Sequence, residues 1–335
     1  MKRVLVARQD NNGDVLLAGP AIRAISARAD VTLLCGPSGA CAGRTLAGVS
    51  ALIERQAEWI DAHPACVDRE STDWFVRQVA QHRFDEAAIF TSFHQSPLPL
   101  ALLLRMAGVP RIGAISVDYP GSLLDVRHNV PDDIHEVERA LSLAQAMGYE
   151  LPAGDDGRLA MRAHAVEPPF KQYVVVHPGS TVPARAWFPE RNADLVHALR
   201  ALGIPVVVTG GAQERRLTAR VARAGALDLG GRTSFEEFAG IVRAASAVVC
   251  GNTAAGHVAA AVGTPVVSIF PPTVPAVRFL PWMVEHRLLG DQQIACAGCR
   301  ARSCPFSNQP CLDGVHVDDV LRALFSLVPW AAEVA

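Results

Sequence analysis

A chain of 335 residues, half of them hydrophobic, has material for two cores, and its length points to two domains. A formal net charge of -2 supplies no global field for nucleic acid or an anionic membrane, which argues against a general nucleic-acid-binding role. Eight cysteines in a chain of this size do not make a disulfide scaffold, the opening MKRVLVARQDNNGD turns polar before a secretory h-region can form, and no apolar stretch reaches membrane-spanning length, so a soluble cytoplasmic protein is expected.

Residues 3–7 (RVLVA) read as a short apolar strand, followed by the polar loop RQDNNGD and a helix over 15–28 that Pro20 kinks or interrupts. Strands follow at 31–35 and 51–53. A helix around 74–81 precedes a strand at 86–90, and a helix at 98–106 leads into GVPRIGA. This alternation is the signature of a parallel sheet covered by helices on both faces. Residues 115–134, with DYPGS and NVPDD, read as a long irregular loop at the mouth of the first domain. A helix over 134–147 ends at Gly148, and LPAGDDGR (151–158) reads as the interdomain linker.

The alternation then restarts: a strand at 173–176, a helix after Glu190, a strand at 204–209, a helix over 213–224 and a short strand near Leu227. Ser234 and Glu237 stand in capping-box spacing at the start of the next helix. Residues 247–275, AVVCGNTAAGHVAAAVGTPVVSIFPPTVP, form the stretch around which the chemistry is assembled: a buried strand, a turn at Gly251 and Asn252, a helix of small residues closed by Gly263, and a second buried strand parallel to the first. The expected domains are 1–155 and 165–335, two similar doubly wound α/β domains, with a last helix over 318–327 able to pack on either.

Five places carry candidate chemistry. The helix N-terminus after Asn252 offers N–H groups and the positive end of its dipole to a phosphate, with the Thr253 hydroxyl and the His257 imidazole on the same face; equally, Asn252 or Thr253 simply caps the helix. Asp14, after Gly13 at the end of the first strand, is either a cap or a carboxylate able to accept a proton from a hydroxyl. In VVVHPGSTVPARAWFPE, N–H groups near Gly179 and Ser180 can hold a phosphate and Arg185 can neutralise one, or the arginine is a solvated surface residue. Glu214 in TGGAQERR suits ribose hydroxyls or complements a helix dipole. Cys296, Cys299, Cys304 and Cys311 follow C-x2-C-x4-C-x6-C, which leaves zinc, disulfides and reduced thiols open because a second tight pair is missing. Dinucleotide GxGxxG and P-loop strings are absent.

With these residues in view, the chain resembles glycosyltransferase family 9, the heptosyltransferases of lipopolysaccharide inner-core assembly, over nearly its whole length. GDVLLAGPAIRAI is similar to the family's GD-x-L-x-x-x-P-A opening, and HPGSTVPARAWFPE to its donor loop with a basic residue before Trp. GNTAAGHVAAAVGTPVVSIFPPTVP, with LPW after it, resembles the nucleotide-binding strand and helix, and CAGCRARSCPFSNQPC the cysteine run of many members.

The resemblance implies a GT-B architecture, two Rossmann-like doubly wound domains facing across a cleft, with the acceptor on the N-terminal domain and the nucleotide sugar on the C-terminal one. It implies an inverting, metal-independent transfer of a heptose or related sugar from a nucleotide sugar, ADP-heptose first, with no cofactor required. Carried over, Asp14 becomes the general base, with Asn12, Gly13 and Arg111 on the acceptor. Ser180, Arg185, Glu214, Asn252, Thr253, Ala254, Ala255 and His257 face the donor. The implied partners are the donor and a glycan, glycolipid or small-molecule acceptor, with peripheral contact to the inner membrane in the glycolipid case and no nucleic acid. Two departures stand out: Asn252-Thr253-Ala254 where the family has Asp-Thr-Gly or Asp-Ser-Gly, and Phe270-Pro271-Pro272-Thr273 where it has Phe-Gly-Pro-Thr. The rival classes are a nucleotide-sugar-binding relative without catalysis and a GT-B-fold epimerase.

Overall fold

The computed structural model describes residues 1–61, 64–92 and 94–333. The chain divides into two compact units, Met1–Met161 and Arg162–Ala335.

The N-terminal unit runs β1 (Lys2–Ala7), α1 (Asn12–Leu17), α2 (Gly19–Ser26), β2 (Ala29–Cys35), α3 (Ala40–Gly43), β3 (Val49–Glu54), α4 (Arg69–His82), β4 (Glu86–Ile89), α5 (Leu98–Met106), β5 (Arg111–Ile115), β6 (Val126–His128) and α6 (Glu136–Ala146). Its six strands pair in parallel in the order β3-β2-β1-β4-β5-β6. β1 is central because Val4 to Ala7 are apolar on both faces and wholly buried, as a strand covered by helices on both sides must be. On one face Leu5, Leu34, Ile89 and Ile112 pack against Phe75, Val79, Leu100, Leu103 and Leu104 from α4 and α5. Truncating Leu5 to Ala at such a site costs about 2–5 kcal/mol.

Two expectations change here, and the interruption expected near Pro20 is located. The helix expected over 15–28 is two helices, broken at Ala18, with Pro20 in the first turn of α2, where its missing N–H costs nothing. The irregular stretch 115–134 contains β6, a short edge strand paired with β5. The expected linker belongs to the N-terminal unit: Arg23 of α2 forks onto both Asp155 carboxylate oxygens at 2.6 and 2.8 Å and donates to the Arg158 carbonyl at 2.9 Å.

The C-terminal unit runs β7 (Val174–His177), α7 (Pro189–Ala201), β8 (Val206–Val208), α8 (Arg215–Ala222), β9 (Leu227–Asp228), α9 (Phe235–Ala244), β10 (Ala247–Gly251), α10 (Ala254–Val262), β11 (Val266–Ile269), β12 (His286–Leu289), α11 (Pro310–Asp313), α12 (Val317–Leu327) and α13 (Pro329–Glu333). All six strands are again parallel, in the order β12-β11-β10-β7-β8-β9. Counted from its own first strand, this is the same 3-2-1-4-5-6 order as in the N-terminal unit, so each unit is a complete Rossmann-type sheet. Strand β12 escapes a periodicity reading because HRLL is a half-buried edge. The Ser234–Glu237 capping box forms at 3.2 and 2.7 Å. Gly263 closes α10 in the left-handed region at φ 83°, a conformation a side chain would strain. Helix α12 packs in this unit's own core through Val320, Leu324 and Leu327, which decides between the two placements left open by the sequence.

Candidate active site

In a 3-2-1-4-5-6 sheet the strand order reverses between the first and fourth strands, and the loops after them splay apart to leave a ligand crevice. In the N-terminal unit that switch point lies between β1 and β4, and the loop after β1 is RQDNNGD. Asp14 stands in the first turn of α1, while Asn11 holds the N-cap position, so Asp14 is not the cap. Its carboxylate, about one-fifth exposed, instead accepts from Arg8 Nη2 at 3.0 Å.

Arg8 is the residue that motif reading overlooked. Only 4% exposed, its guanidinium lies 2.8 Å from Asp10, 3.0 Å from Asp14 and 3.6 Å from Glu136 of α6, and it donates to Ser92 Oγ, after β4, at 3.1 Å. Burial works to strip its proton, but Asp10, Asp14 and Glu136 together outweigh burial and keep it charged. Burial pushes the Asp10 carboxyl above the usual carboxylate range, against the pull of Arg8, and Asp14 and Glu136 add to the upward push. Gln95 ties the two loops together, donating to Asp10 at 2.5 Å and accepting from the Ser92 N–H at 3.0 Å. The available signal was an R-x-D pair directly behind a buried strand, where solvated charges are not expected.

Two residues expected on the acceptor have partners within the N-terminal unit. Arg111 opens β5 at the amino-terminal edge of the sheet, opposite the switch-point loops, and bonds Glu86 at 2.7 Å and the Met147 carbonyl at 3.1 Å; the fold does not bring it to Asp14. A charge at a strand start is as readily a lid on the sheet's lower edge as a ligand. Asn12 uses its side-chain oxygen to hold the Ala42 N–H of α3 at 2.9 Å, a structural tie. Gly13 is buried in the first turn of α1 beside Asp14.

In the C-terminal unit the switch point lies between β7 and β10, and the fold gathers the donor candidates there. His177 ends β7, with Nδ1 3.0 Å from Thr209 Oγ1; burial holds its imidazole below the ordinary histidine range while Glu214 pulls the other way. In the loop that follows, Ser180 Oγ accepts from Val182 N–H at 3.2 Å. Glu214 folds back over this loop: its Oε2 accepts from the Gly211 N–H at 2.7 Å, and a Cβ on Gly179 would stand 1.9 Å from its Oε1. Only glycine at 179 allows that approach.

Arg185 ends a 3-10 turn (Pro183–Arg185) whose last carbonyl rests over the end of β10, 2.5 Å from where a Gly251 Cβ would stand. Strand β10 delivers Asn252 and Thr253. Thr253 is the N-cap of α10, accepting from the Ala255 N–H at 3.2 Å, so that N–H is committed to the cap and Ala254 remains as the first-turn donor. His257, one turn on, is buried. Asn252 is 8% exposed, and its side-chain N–H2 has no acceptor among the described residues. The same holds for Trp187 Nε1 and for Thr273 Oγ1 behind β11. Buried donors of this kind are rare unless something absent completes them.

The cysteine run lies over this edge. Gly298 N–H bonds the Pro272 carbonyl at 2.7 Å and Arg300 N–H the Thr273 carbonyl at 2.9 Å, while Ala184 is held from both sides by the Arg302 carbonyl (3.0 Å) and Gln309 Nε2 (2.7 Å). Cys296 and Cys299 are exposed, Cys304 is half-buried and Cys311 is buried, all four as free thiols. Among the described residues no three His, Cys, Asp or Glu side chains converge to hold a metal ion. The segment braces the Pro183–Arg185 turn. No helix among the described residues is long and apolar enough to cross a membrane.

The chain is 32% identical over 196 residues to lipopolysaccharide heptosyltransferase 1 of Pseudomonas aeruginosa, an alignment covering 56% of this chain and 53% of that protein; the chain thus spans about half the length of this curated relative. Its fold matches E. coli ADP-heptose LPS heptosyltransferase II (TM-score 0.73, 18% identity, 99% of this chain and 100% of that one). It also matches E. coli heptosyltransferase WaaC with ADP-2-deoxy-2-fluoro heptose (TM-score 0.72, 20% identity, 96% of this chain and 98% of that one). These likenesses show the fold, two Rossmann-like units of the GT-B class. Residues 76–309 match the family described as glycosyltransferase family 9 (heptosyltransferase), a span from within α4 to just before Cys311, and the chain belongs to that family.

Proposed function

We propose that the protein is an inverting glycosyltransferase that moves a heptose from ADP-heptose to an acceptor hydroxyl of a lipopolysaccharide core or related glycoconjugate, without a catalytic metal. The observation that carries this reading is the coincidence of topology and chemistry: in each unit the family-like residues fall at the switch point, a fixed carboxylate in one and a helix N-terminus with polar side chains in the other. The ADP-bearing donor analogue of WaaC and the lipopolysaccharide heptosyltransferase relative support the donor and the acceptor class.

In this mechanism Asp14 Oδ accepts the acceptor's hydroxyl proton as that oxygen bonds to the anomeric carbon from the face opposite the diphosphate. The anomeric C–O bond breaks, its electron pair leaves with ADP, and the single displacement inverts the centre. The growing charge on the diphosphate meets the positive end of α10, the Ala254 N–H, Arg185 and His257, fixed groups that need no reorganisation during the reaction. Such prearranged donors are the reason for expecting turnover to survive a chelator. Glu214 is assigned to the ribose hydroxyls and the Asn252 amide to the sugar side of the diphosphate.

The test is Asp14→Asn, which keeps the side chain's size and one acceptor oxygen but removes proton acceptance. Turnover should fall at least roughly a hundredfold with ADP affinity nearly intact. Turnover near that of the wild type would refute the base assignment; in the wild type, release of ADP without an acceptor product would favour hydrolysis, and an intact bound donor with no ADP released a binding role.

A further inference from the structure

The switch-point loop of the N-terminal unit buries a charge arrangement that base catalysis alone does not require. Arg8 is 4% exposed and touches three carboxylates from three segments: Asp10 at 2.8 Å in the loop, Asp14 at 3.0 Å in α1 and Glu136 at 3.6 Å in α6. After β4, Ser92 Oγ accepts from the guanidinium at 3.1 Å, and Gln95 holds Asp10. Arg139, one turn further along α6, stands 3.6 Å from Glu136. Glu136 itself sits in the first turn of α6, whose N-terminus is closed by a reciprocal cap between His135 and Glu138.

We infer that Arg8 and Glu136 are positioning residues for the Asp14 carboxylate: Arg8 fixes the carboxylate's orientation, and Glu136 competes for the same guanidinium so that the cation's pull is shared rather than spent on Asp14 alone. The inference rests on the proposed role of Asp14 and adds the device that sets its strength. An arginine that met Asp14 alone would hold the carboxylate ionised but also weaken its attraction for a proton. Sharing the cation among three anions divides that pull. Asp10 is buried and bound on its far side by Gln95, and burial pushes its carboxyl above the usual range, so it shares the guanidinium without facing substrate. Asp14 alone keeps appreciable exposure, which is what a group that meets substrate needs.

Opposite charge changes at the two positions must therefore move the enzyme in opposite directions. In Arg8→Gln the cation is gone, so the acid limb of the kcat/KM profile against pH should move up by about one pH unit, and the plateau should fall at least tenfold because orientation is lost. In Glu136→Gln the competing anion is gone, so the acid limb should move down by about half a unit with a smaller loss of plateau rate. Arg8→Lys keeps the charge and loses the fork, so its acid limb should stay near that of the wild type while kcat falls. ADP affinity, assigned to the other unit, should stay within twofold in all three, and an unchanged thermal melt reports that the N-terminal unit is folded.

A general packing defect cannot produce opposite pH shifts. Acid limbs that move in the same direction in Arg8→Gln and Glu136→Gln, or that stay put in both, overturn the inference. If Arg8→Gln does not fold, the Glu136→Gln and Arg8→Lys profiles decide. The two failures separate cleanly: full activity in Asp14→Asn removes the base, whereas an inactive Asp14→Asn beside unmoved Arg8 and Glu136 profiles removes only this inference.

Discussion

Gly179→Ala is the sharpest probe of the donor half of the site, because its effect can be worked from a single contact. The added methyl would stand 1.9 Å from Glu214 Oε1, 2.3 Å from its carboxyl carbon and 2.7 Å from Oε2. Ordinary contact begins at 3.4 Å, so the carboxylate must retreat by about 1.5 Å. Gly179 does not occupy a left-handed conformation, so alanine strains no backbone there, and the obstacle is the end of a flexible side chain rather than main chain. The fold should therefore lose little. What goes is the 2.7 Å hydrogen bond from the Gly211 N–H and, with it, the carboxylate's place over the loop after β7. If that carboxylate holds the ribose hydroxyls, the loss is one charge-assisted hydrogen bond, about 1.5–3 kcal/mol, or roughly 10- to 150-fold in ADP affinity. Calorimetric titration with ADP reads the affinity, a thermal melt reads the fold, and Glu214→Gln serves as the matched control. ADP affinity within twofold of wild type in both variants, with the melt unchanged, would refute the ribose assignment.

Asn252→Asp restores the family's usual residue and removes the buried N–H2; bare ADP affinity should change by less than tenfold, about 1.4 kcal/mol, while the preference among ADP-heptoses and hexoses shifts, and the converse pattern would place Asn252 on phosphate instead. Arg23→Met should destabilise the N-terminal unit by about 1.5–3 kcal/mol at neutral pH through loss of the fork onto Asp155. Arg23 holds the Asp155 carboxyl below its usual range, so this stabilisation is present above the unfolded value, about 3.9, and is lost as pH falls through the lower folded value; urea titrations showing an undiminished difference in strong acid would count against it. Thiol labelling of the native protein should reach Cys41, Cys66, Cys296 and Cys299 first and spare Cys250, whose thiol burial pushes up to about 12, and Cys311, pushed up to about 11 by burial and then by its neighbouring cysteines. Mass-spectrometric mapping that finds Cys250 labelled before Cys296 would contradict the packing of β10.

The sequence by itself determined the alternation of strands and helices, because a strand buried on both faces has to be a continuous apolar run such as Val4 to Ala7 or Val174 to Val176, and turn residues have to separate those runs. It also carried the family motifs, since a helix start after a buried strand is local and is written in consecutive residues such as Gly251, Asn252, Thr253 and Ala254. Elements held mainly by neighbours were not legible: β6 and β12 are short, half-buried edges whose existence depends on the strand beside them. Nor was the assignment of the stretch around Asp155, because Pro and Gly composition signals a linker whether or not Arg23 reaches it.

Only the tertiary structure decided what the charged residues do. Arg8, Asp10, Asp14 and Glu136 lie up to 128 positions apart in the chain, and nothing in their local spacing says that one guanidinium serves three carboxylates. Arg111 shows the reverse case. An arginine at the start of a strand reads as a free cation until parallel register puts it opposite Glu86, at the edge of the sheet away from the ligand loops. The physical reason is the same for both. Periodicity records how much of a side chain is buried, whereas ion pairing depends on which distant groups the sheet order brings to the same edge, and that order emerges only when the strands have assembled.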